Sequence, residues 1–337
     1  MLTRVRSPHR TWTRLAAGAI GIATAAAALA GCSTSGDDAP TSATDTINMS
    51  TEPWLGYGPW YIAQEKGYFA DQGVTVNMTS FDDATDTTAG LGSGDIDVAN
   101  AASHTVLQWL QQGQEGYIVT LLDTSMTADA VLAGPGIDSI ADLKGKQVAF
   151  EEGSVSNLLL DHALTEAGMS MSDVTPVPMS PSDAAVALSA GRVDAAVTYE
   201  PYISDSISQN SDIKKLYTAD HEPGLISDVL FVTKKAMEEK PDAVQKVVNA
   251  WGPAVDFYES DTEEAQQIIA ENIGSDPSSL TSAFDGVKYF TAEDNKTQLG
   301  GDYLENVLPN VQKGALDAGI IDKEQDLTSL VDTRFVK

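Results

Sequence analysis

The side chains best placed to do chemistry in this sequence are carboxylates that come directly after predicted β-strands. They are Glu52, Asp123, Asp129, Glu151, Glu152, Asp183, Glu200, Glu222 and Asp228. Ligands of open α/β sheets bind beyond the carboxyl ends of the strands, so these acids are expected to gather around one cleft. The segments that hold them contain no Lys or Arg. Because unpaired carboxylates repel an anion where the local dielectric constant is low, this pattern favours a cationic solute, or a neutral one that carries an amine or amide.

Four of these acids and a neighbouring serine are predicted to contact the ligand: Asp123, Glu152, Ser154, Glu200 and Asp228. Glu200 follows the apolar run at residues 193–198, and a strand in that place delivers its next side chain into the cleft. Glu152 follows another apolar run, and Ser154 is equally suited to cap the helix that comes next. Solvated surface groups are the alternative for each of these acids in so acidic a chain.

Aromatic residues give a second indication of the ligand. Trp54 and Tyr57 lie in a glycine-rich segment, where their rings are free to stack on a planar ligand or to form part of a cage around a cation. Trp60 and Tyr61 follow inside a predicted helix, so we expect them to pack in the core. The sequence therefore predicts a planar heterocyclic or amine-bearing solute held by Trp54 and Tyr57.

Polar residues also end the predicted strand at 96–100. We expect Asn100 and Ser103 to reach the ligand, with a helix-capping role as the alternative for Ser103. His104 is expected to be a surface or core histidine rather than a catalyst.

The elements that must position these residues alternate between short β-rich runs and helical stretches, as βα units do. Strands are predicted at residues 47–50, 74–78, 96–100, 118–122, 130–133, 147–150, 193–198 and 229–233. Helices are predicted at residues 59–67, 84–91, 103–112, 154–168 and 182–190, and several end in or just before a helix-stopping Gly. After residue 233 the chain is predicted to be mainly helical. The fold class is therefore α/β.

A weak internal repeat supports two similar halves. Residues 89–101 and 186–198 align at an offset of 97 residues. In each, a helix ends at a glycine, and a strand with an early aspartate, Asp97 or Asp194, follows. Chance similarity is the alternative, because many joints between a helix and a strand have this pattern.

The N-terminus has the pattern of an export signal. Residues 1–31 hold four arginines, no acid and an alanine-rich apolar run. The tetrad LAGC at 29–32 resembles the lipobox of bacterial lipoproteins, whose cysteine is diacylated after cleavage. A transmembrane anchor is the alternative, but the 17-residue apolar run is short of the roughly 20 residues needed to span a bilayer. We therefore predict lipidation at Cys32, a flexible tether at 32–46 and a body held at the extracytoplasmic face of the bacterial membrane.

The charge of the chain excludes a nucleic-acid partner. Its 337 residues hold 49 acidic and 20 basic side chains, a formal charge of −29. Because four of the basic residues belong to the leader, the body has 16 basic residues against 49 acidic ones, a formal charge of −33. Such a body repels nucleic-acid phosphates. The single cysteine rules out an internal disulfide framework.

Five motifs stand in order along residues 47 to about 290: EPWLGYGPWYIAQEKGYF at 52–69, GDID at 94–97, DLKGKQVA at 142–149, EGSVS at 152–156 and AGRVDAAVTYEP at 190–201. Together they resemble the solute-binding proteins of ABC importers, in the branch that binds nitrate, taurine, aliphatic sulfonates and thiamine pyrimidine precursors. The resemblance is specific for the family and not for the ligand.

The resemblance implies a type II periplasmic-binding-protein fold, in which two α/β lobes joined by two crossover strands close on a ligand. Lobe 1 would comprise residues 47–125 and 227–337, and lobe 2 residues 126–226. Asp123 and Asp228 would then lie in the crossings, as hinge or ligand residues, with a structural hydrogen-bonding role as the alternative. The loaded protein would dock on an ABC permease in the membrane. We expect a monomer that needs no cofactor or metal.

Three other functions stay open. The branch named above suggests an anionic sulfonate, taurine or nitrate ligand, which helix N-termini and hydroxyl groups can hold. A sensory role beside a membrane receptor fits the same sequence. Pyrimidine synthases share the fold, but the acylated Cys32 leaves no thiol nucleophile, the histidines lack metal-binding spacing, and no P-loop or nucleophile elbow occurs. We therefore expect no enzyme activity.

Overall fold

Two mixed β-sheets dominate the computed structural model, which describes residues 45–81 and 84–337. The predicted signal peptide, most of the tether and the lipidation site Cys32 lie outside the described residues. The strands are β1 (Thr46–Thr51), β2 (Thr75–Ser80), β3 (Val98–Ala102), β4 (Gly116–Ser125), β5 (Asp129–Ala133), β6 (Gln147–Phe150), β7 (Thr175–Pro178), β8 (Ala195–Tyr199), β9 (Lys214–Thr218), β10 (Ser227–Thr233) and β11 (Val287–Tyr289).

The α-helices pack on both sheets and make up most of the C-terminal region. They are α1 (Gly58–Glu65), α2 (Tyr68–Asp71), α3 (Ala84–Ser93), α4 (Ser103–Gln111), α5 (Val155–Glu166), α6 (Pro181–Ser189), α7 (Tyr202–Gln209), α8 (Lys234–Glu239), α9 (Pro241–Ser260), α10 (Thr262–Asn272), α11 (Ala292–Gln298), α12 (Leu308–Asp317) and α13 (Leu327–Leu330). The predicted helical C-terminal portion is thus present, with the short strand β11 inserted in it.

The first sheet has the order β11-β4-β10-β3-β1-β2, and the second has the order β7-β6-β8-β5-β9. In the first, β1 is parallel to β2 and β3, whereas β10 is antiparallel to β3 and β4. In the second, β6 is parallel to β7 and β8, whereas β5 is antiparallel to β8 and β9. The chain passes from one sheet to the other after β4 and returns before β10. The lobe limits at residues 126 and 226 fall near these passages and stay a prediction.

The central strands are buried on both faces, as in sheets that are covered by helices on either side. Every residue of β3 and β5 is buried, and their sequences are rich in alanine and valine. One large core packs around the first sheet, with Trp60 and Trp251 fully buried in it. The second sheet has a separate apolar cluster on each face. These cores hold the strand ends, and therefore the residues that follow them, in fixed places.

The two halves of the internal repeat have the same local structure. The helix before each strand ends at a glycine in the left-handed region, Gly94 with φ +79° and Gly191 with φ +63°. The aspartate that follows accepts a hydrogen bond from the first part of a neighbouring strand: Asp97 from the Asn48 amide, and Asp194 from the Gln147 amide, both at 2.9 Å. These two aspartates are therefore structural residues that join adjacent strands in each half.

The predicted strands are all present, but the structure adds β7, β9 and β11. All three lie at sheet edges. β7 carries two prolines, which an edge strand tolerates because one side of its backbone needs no ladder partner. β9 begins with two lysines and β11 has three residues, so neither gives the apolar pattern of a buried strand.

Candidate ligand-binding cleft

A cleft lies between the two sheets, at the carboxyl ends of β1, β3, β6 and β8. It is lined by Glu52, Trp54, Tyr57, Ala101, Ala102, Thr105, Asp129, Glu151, Ser154, Val155, Pro181, Tyr199, Ile226 and Asp228. Its empty space is about 690 Å³, including the part that is open to solvent. Its position at the strand ends is typical of a site for a small molecule.

Trp54 connects the two walls of the cleft. It follows β1, and its indole ring meets the Tyr199 ring at the end of β8 edge-on, with the ring centroids 5.7 Å apart. The Trp54 indole N–H also donates a hydrogen bond to Oδ1 of Asp123 on β4, at 3.3 Å. Tyr199 is in turn 5.4 Å from the Tyr202 ring at the start of α7. Aromatic residues from both halves of the molecule therefore meet in the cleft.

The backbone of the loop that carries Trp54 is held tightly against these acids. At Gly56 a Cβ atom would lie 2.2 Å from Oδ2 of Asp123 and 2.2 Å from the indole nitrogen of Trp54, so only glycine fits there. The Tyr289 hydroxyl on β11 donates a hydrogen bond to the Leu55 carbonyl at 2.8 Å. The loop between β1 and α1 is therefore shaped by its glycine and by β11.

Asp123 and Asp228 are direct cross-strand partners in the antiparallel pair of β4 and β10. They are 0% and 4% exposed. The two carboxyl groups interact electrostatically, and the charge of Asp129 acts on both. Among the described residues, no fixed N–H or O–H donor bonds Oδ2 of Asp123. Like charges directly opposite each other in a sheet are destabilising, and burial adds to that cost.

Burial raises the pKa of the aspartates around Trp54. Desolvation, followed by the neighbouring Asp123 and Asp129, holds the pKa of Asp228 well above its ordinary value. The pKa of Asp123 is also raised, chiefly by desolvation, although the Trp54 hydrogen bond opposes the shift. Desolvation raises the pKa of Asp129 to about 7. The empty cluster therefore retains protons near neutral pH.

No lysine or arginine is among the cleft-lining residues of the described part of the chain. The basic group closest to Glu200 is Lys215 on β9, whose ammonium is 3.9 Å from the Glu200 carboxylate. Lys215 also donates a hydrogen bond to the Thr127 carbonyl at 2.6 Å. Lys215 is not among the cleft-lining residues, although its charge partly opposes the rise in the pKa of the cleft-lining Asp129. The wall of the cleft itself is acidic and aromatic.

Three helices begin at the cleft. The first residues of α4 include the cleft-lining Thr105, Val155 starts α5, and Pro181 starts α6. The Ser154 hydroxyl accepts a hydrogen bond from the Ser156 amide at 3.1 Å and so caps α5. Helix N-termini carry partial positive charge and free amide donors, which favour a negative group on a ligand.

Of the predicted ligand residues, Trp54, Tyr57, Ser154 and Asp228 line the cleft. Ser154 lines the cleft and also caps α5, and its contact with a ligand stays a prediction. Asp123 is completely buried behind Trp54.

The structure does not place Asn100, Ser103, Glu152 and Glu200 among the cleft-lining residues. The Asn100 side chain accepts a hydrogen bond from the Trp60 indole at 2.9 Å and donates one to the Ser50 carbonyl at 3.1 Å. The side-chain amide of Asn100 therefore makes its hydrogen bonds inside the core around the first sheet. Trp60 itself packs in that core, as predicted.

Ser103, Glu152 and Glu200 are turned away from the cleft for different reasons. The Ser103 hydroxyl bonds the Ser227 carbonyl and the Tyr303 hydroxyl, both at 2.8 Å. Glu152 is exposed, one residue beyond the cleft-lining Glu151. The buried Glu200 carboxylate accepts a hydrogen bond from the Ser204 amide at 3.0 Å, in the first turn of α7. His104 is a buried histidine, and desolvation lowers its pKa to about 4.

Four prominent residues of the cleft wall were not among the predicted ligand residues: Glu52, Asp129, Glu151 and Tyr199. Glu52, Asp129 and Glu151 belong to the acids that follow strands, so the sequence pattern indicated them, although they were not chosen as ligand residues. Alternation of side chains past the end of a strand decides between adjacent residues, as between Glu151 and Glu152. Tyr199 is the last residue of β8 rather than the first after it, because the strand ends one residue later than predicted.

Within residues 45–81 and 84–337 no group of three or more His, Cys, Asp or Glu side chains has an arrangement that could hold a metal ion. No helix in this part of the chain has the length and apolarity that a membrane crossing requires.

Comparisons with known proteins agree with this architecture. A family model described as NMT1/THI5 like matches residues 55–265. A relative from Bacillus subtilis, a putative aliphatic sulfonates-binding protein, is 26% identical over 326 residues, which are 92% of either chain. A yeast relative from Saccharomyces cerevisiae, 27% identical over 65% of this chain and 68% of its own, carries the name of an enzyme, 4-amino-5-hydroxymethyl-2-methylpyrimidine phosphate synthase.

Solved structures show the same fold. The crystal structure of the periplasmic aliphatic sulphonate binding protein SsuA from Escherichia coli superposes with a TM-score of 0.70 at 20% identity, over 85% of this chain and 97% of that one. The ligand-binding component of an ABC-type import system from Staphylococcus aureus gives a TM-score of 0.73 at 16% identity, over 87% and 98% of the two chains. The fold class and the family expected from the sequence are thereby confirmed. The chain belongs to the NMT1/THI5-like family and has the two-lobed α/β fold of the periplasmic binding proteins.

Proposed function

We propose that this protein is the extracytoplasmic substrate-binding component of an ABC importer. In this proposal it captures a small solute between its two lobes and delivers it to a membrane permease. The solute is cationic, or neutral with an amine or amide group, and has a planar part. The observation that carries the ligand class is the wall of the cleft, where four carboxylates and three aromatic rings occur without a lysine or arginine among the described lining residues. These residues are Glu52, Trp54, Tyr57, Asp129, Glu151, Tyr199 and Asp228.

Electrostatics supports a cation over an anion in such a place. One unit charge about 4 Å from a carboxylate gains or loses roughly 4 kcal/mol at an effective dielectric constant of 20. Trp54, Tyr57 and Tyr199 add the attraction of aromatic ring faces for a cation, on the order of 0.5–2 kcal/mol. A cation gains from the ring faces and from each carboxylate that is ionised, whereas an anion gains from neither of these.

The importer role is supported by the fold and by what the relatives are named. The Staphylococcus aureus structure is described as part of an ABC-type import system, and the Bacillus subtilis relative as a binding protein. We also propose a lipid anchor at Cys32, which rests on the sequence pattern, together with a permease partner and a monomeric state. Replacing Cys32 with Ser tests the anchor, because we expect the variant to leave the membrane fraction and appear in the soluble one.

The ligand class is tested by a thermal-shift series of similarly shaped compounds on one ring. Purified protein is heated with benzylamine, benzamide and benzenesulfonate, because binding to the folded state stabilises it by RT ln(1 + [L]/Kd), about 2.7 kcal/mol at 100 times Kd. We expect benzylamine or benzamide to raise the melting temperature and benzenesulfonate to leave it unchanged. If only benzenesulfonate, other sulfonates or nitrate raise it, the cationic and neutral ligand class is wrong.

An anionic ligand is the second candidate, and one structural observation favours it. The N-termini of α4, α5 and α6 meet at the cleft and provide partial positive charge. The names of the sulfonate-binding relatives point the same way. Each helix terminus contributes about half a unit charge, so three termini offset only part of four carboxylates when those are ionised. The cationic or neutral solute therefore remains the first proposal.

We also propose that the protein is not an enzyme. The yeast relative is named a synthase, so enzymes exist among the relatives. In this chain Ser103 and His104 are occupied in the core, and the cleft wall offers no histidine or cysteine among the described residues. Incubating the purified protein with a bound solute and recovering it chemically unchanged is the expected result.

A further inference from the structure

The proposed function does not specify which chemical group of the ligand contacts the buried acids. The pair formed by Asp123 and Asp228 indicates the kind of group. The register places the two residues opposite each other on β4 and β10. Asp228 lines the cleft, whereas Asp123 lies directly behind the Trp54 indole. One carboxylate of the pair is therefore reachable by a ligand, and the second is coupled to it from behind.

The surroundings of the pair hold acids and hydroxyl groups but no positive charge among the described residues. The titratable and polar groups that face it are Glu52, Trp54, Tyr57, Asp129, Tyr289 and Tyr303. Lys215, the basic residue in this region, faces Glu200 at 3.9 Å. Two buried carboxylates opposite each other in a sheet cannot both ionise at little cost, so we expect the pair to hold a proton when no ligand is bound.

One oxygen of the pair also lacks a fixed partner. The Trp54 indole donates to Oδ1 of Asp123, but Oδ2 receives no hydrogen bond from a fixed donor among the described residues. A buried carboxyl oxygen without a donor costs free energy, and a proton held by the pair removes that cost. The pair is therefore suited to hold a proton, and its cleft-lining member Asp228 is the one that an incoming N–H group can reach.

We infer that the ligand presents an N–H-bearing cation, such as a protonated amine, amidine or guanidine, to Asp228, and that its charge replaces the proton shared by Asp123 and Asp228 in the empty cleft. This inference rests on the proposed function and narrows its ligand class. The exchange is balanced: one cation enters, one proton leaves to solvent, and the net charge of the site is unchanged. No covalent bond of the ligand forms or breaks.

The need for N–H groups separates this ligand from a quaternary ammonium ion. Trp54, Tyr57 and Tyr199 can attract either kind of cation through their ring faces. A quaternary ammonium offers no hydrogen-bond donor, so the pair would lose its shared proton and gain no N–H partner. A protonated amine supplies both the charge and the donor, and charge-assisted hydrogen bonds to a carboxylate are the stronger kind.

The test compares benzylamine with benzyltrimethylammonium by isothermal titration calorimetry on the full-length protein. Titrations at pH 7 in phosphate and in Tris, whose ionisation enthalpies differ, give the number of protons released per ligand bound. We expect benzylamine to bind at least tenfold more tightly than benzyltrimethylammonium and to release about one proton. In Asp123→Asn the partner charge is gone and Asp228 ionises more easily in the empty cleft, so the proton release should fall below half.

Two further variants complete the test. Asp228→Asn should weaken benzylamine binding at least tenfold, and the exposed Glu152→Gln should leave affinity and proton release unchanged. Circular dichroism and the melting temperature verify that each variant is folded. Equal binding of the two cations, no binding of any amine, or equal proton release in the wild type and Asp123→Asn would each overturn the inference. If benzamide or the quaternary ion bound as tightly as benzylamine, the inference would be overturned and the proposed function would stand. Binding of sulfonates alone would overturn both the inference and the proposed ligand class.

Discussion

Asp123 and Asp228 face each other across β4 and β10, the two strands through which the chain leaves and re-enters the first sheet. Their carboxyl groups meet where the halves of the molecule are joined, so any change in the charge of this pair acts on the connection itself. In the inference above, a cationic ligand at Asp228 takes over from the proton in limiting the repulsion between these strands. Because hinge closure around a ligand is common in this fold class, we expect binding at this pair to influence how the two halves close.

Replacing Asp123 with Asn should stabilise the empty protein at pH 8. The substitution keeps a hydrogen-bond acceptor for the Trp54 indole and removes one of two facing buried acids. We expect the free energy of unfolding to rise by roughly 1–3 kcal/mol, because a buried charge without a partner is costly. Chemical denaturation without ligand measures it. A loss of stability at pH 8 would show that Asp123 makes an essential bond that asparagine does not replace.

The stability of the empty protein should fall as the pH rises from about 5 to 8. Burial raises the pKa of Asp123 and Asp228, and it raises that of Asp129 to about 7. A group whose pKa is higher in the folded state stabilises the protein below its unfolded-state pKa, and this contribution is lost as the pH rises through the folded-state pKa. The measurement is the melting temperature against pH, and the Asp123→Asn/Asp228→Asn double variant should give a flatter profile. Parallel profiles would contradict the prediction.

Substitutions of Trp54 and Trp60 should affect different properties of the protein, although the two residues are only six positions apart in the sequence. Trp54 lines the cleft and touches Tyr199, so Trp54→Ala should weaken solute binding by about 1–3 kcal/mol. Trp60 is fully buried and donates to Asn100, so Trp60→Phe should lower the melting temperature and leave affinity within about twofold. Calorimetry with benzylamine and thermal unfolding separate the two effects. Equal losses of affinity would place both rings in the site.

The fold could be predicted from sequence because its central strands are apolar runs between glycines and helices. The elements that were missed are edge strands, where prolines, lysines or short length hide the pattern. β7 with its two prolines and β9 with its two lysines pair on one side only, so packing within the sheet, rather than local apolar character, makes them strands.

The site was predictable in character and less so in detail. Acidic and aromatic residues after strands do gather at one cleft, as with Trp54 and Asp228. The sequence pattern pointed to Glu152, whereas its neighbour Glu151 lines the cleft. A shift of one residue turns a side chain to the other side of the chain. Asn100 and Glu200 lie outside the cleft lining for another reason: their partners, the Trp60 indole and the Ser204 amide, are set by tertiary packing and by the start of α7.

Gly56→Ala should damage both stability and binding, although it adds only one methyl group. That methyl would lie 2.2 Å from Oδ2 of Asp123 and from the Trp54 indole nitrogen, so the loop or both side chains must shift. We expect a loss of roughly 1–3 kcal/mol in the free energy of unfolding, the usual cost of overpacking, and at least a tenfold loss in affinity for benzylamine.

Gly92→Ala is the matched control for that substitution. Gly92 is exposed near the end of α3, and its added methyl would meet only the Gln114 side chain at 3.4 Å. Because alanine favours a helix over glycine by up to about 1 kcal/mol, this variant should be as stable as the wild type or more so, with unchanged affinity. Denaturation and calorimetry of the two variants side by side distinguish a general effect of added methyl groups from the close contact at Gly56. If Gly56→Ala kept both its stability and its affinity, the loop would have room to move. The close packing of Trp54 against Asp123 would then not be what holds the acidic pair in position.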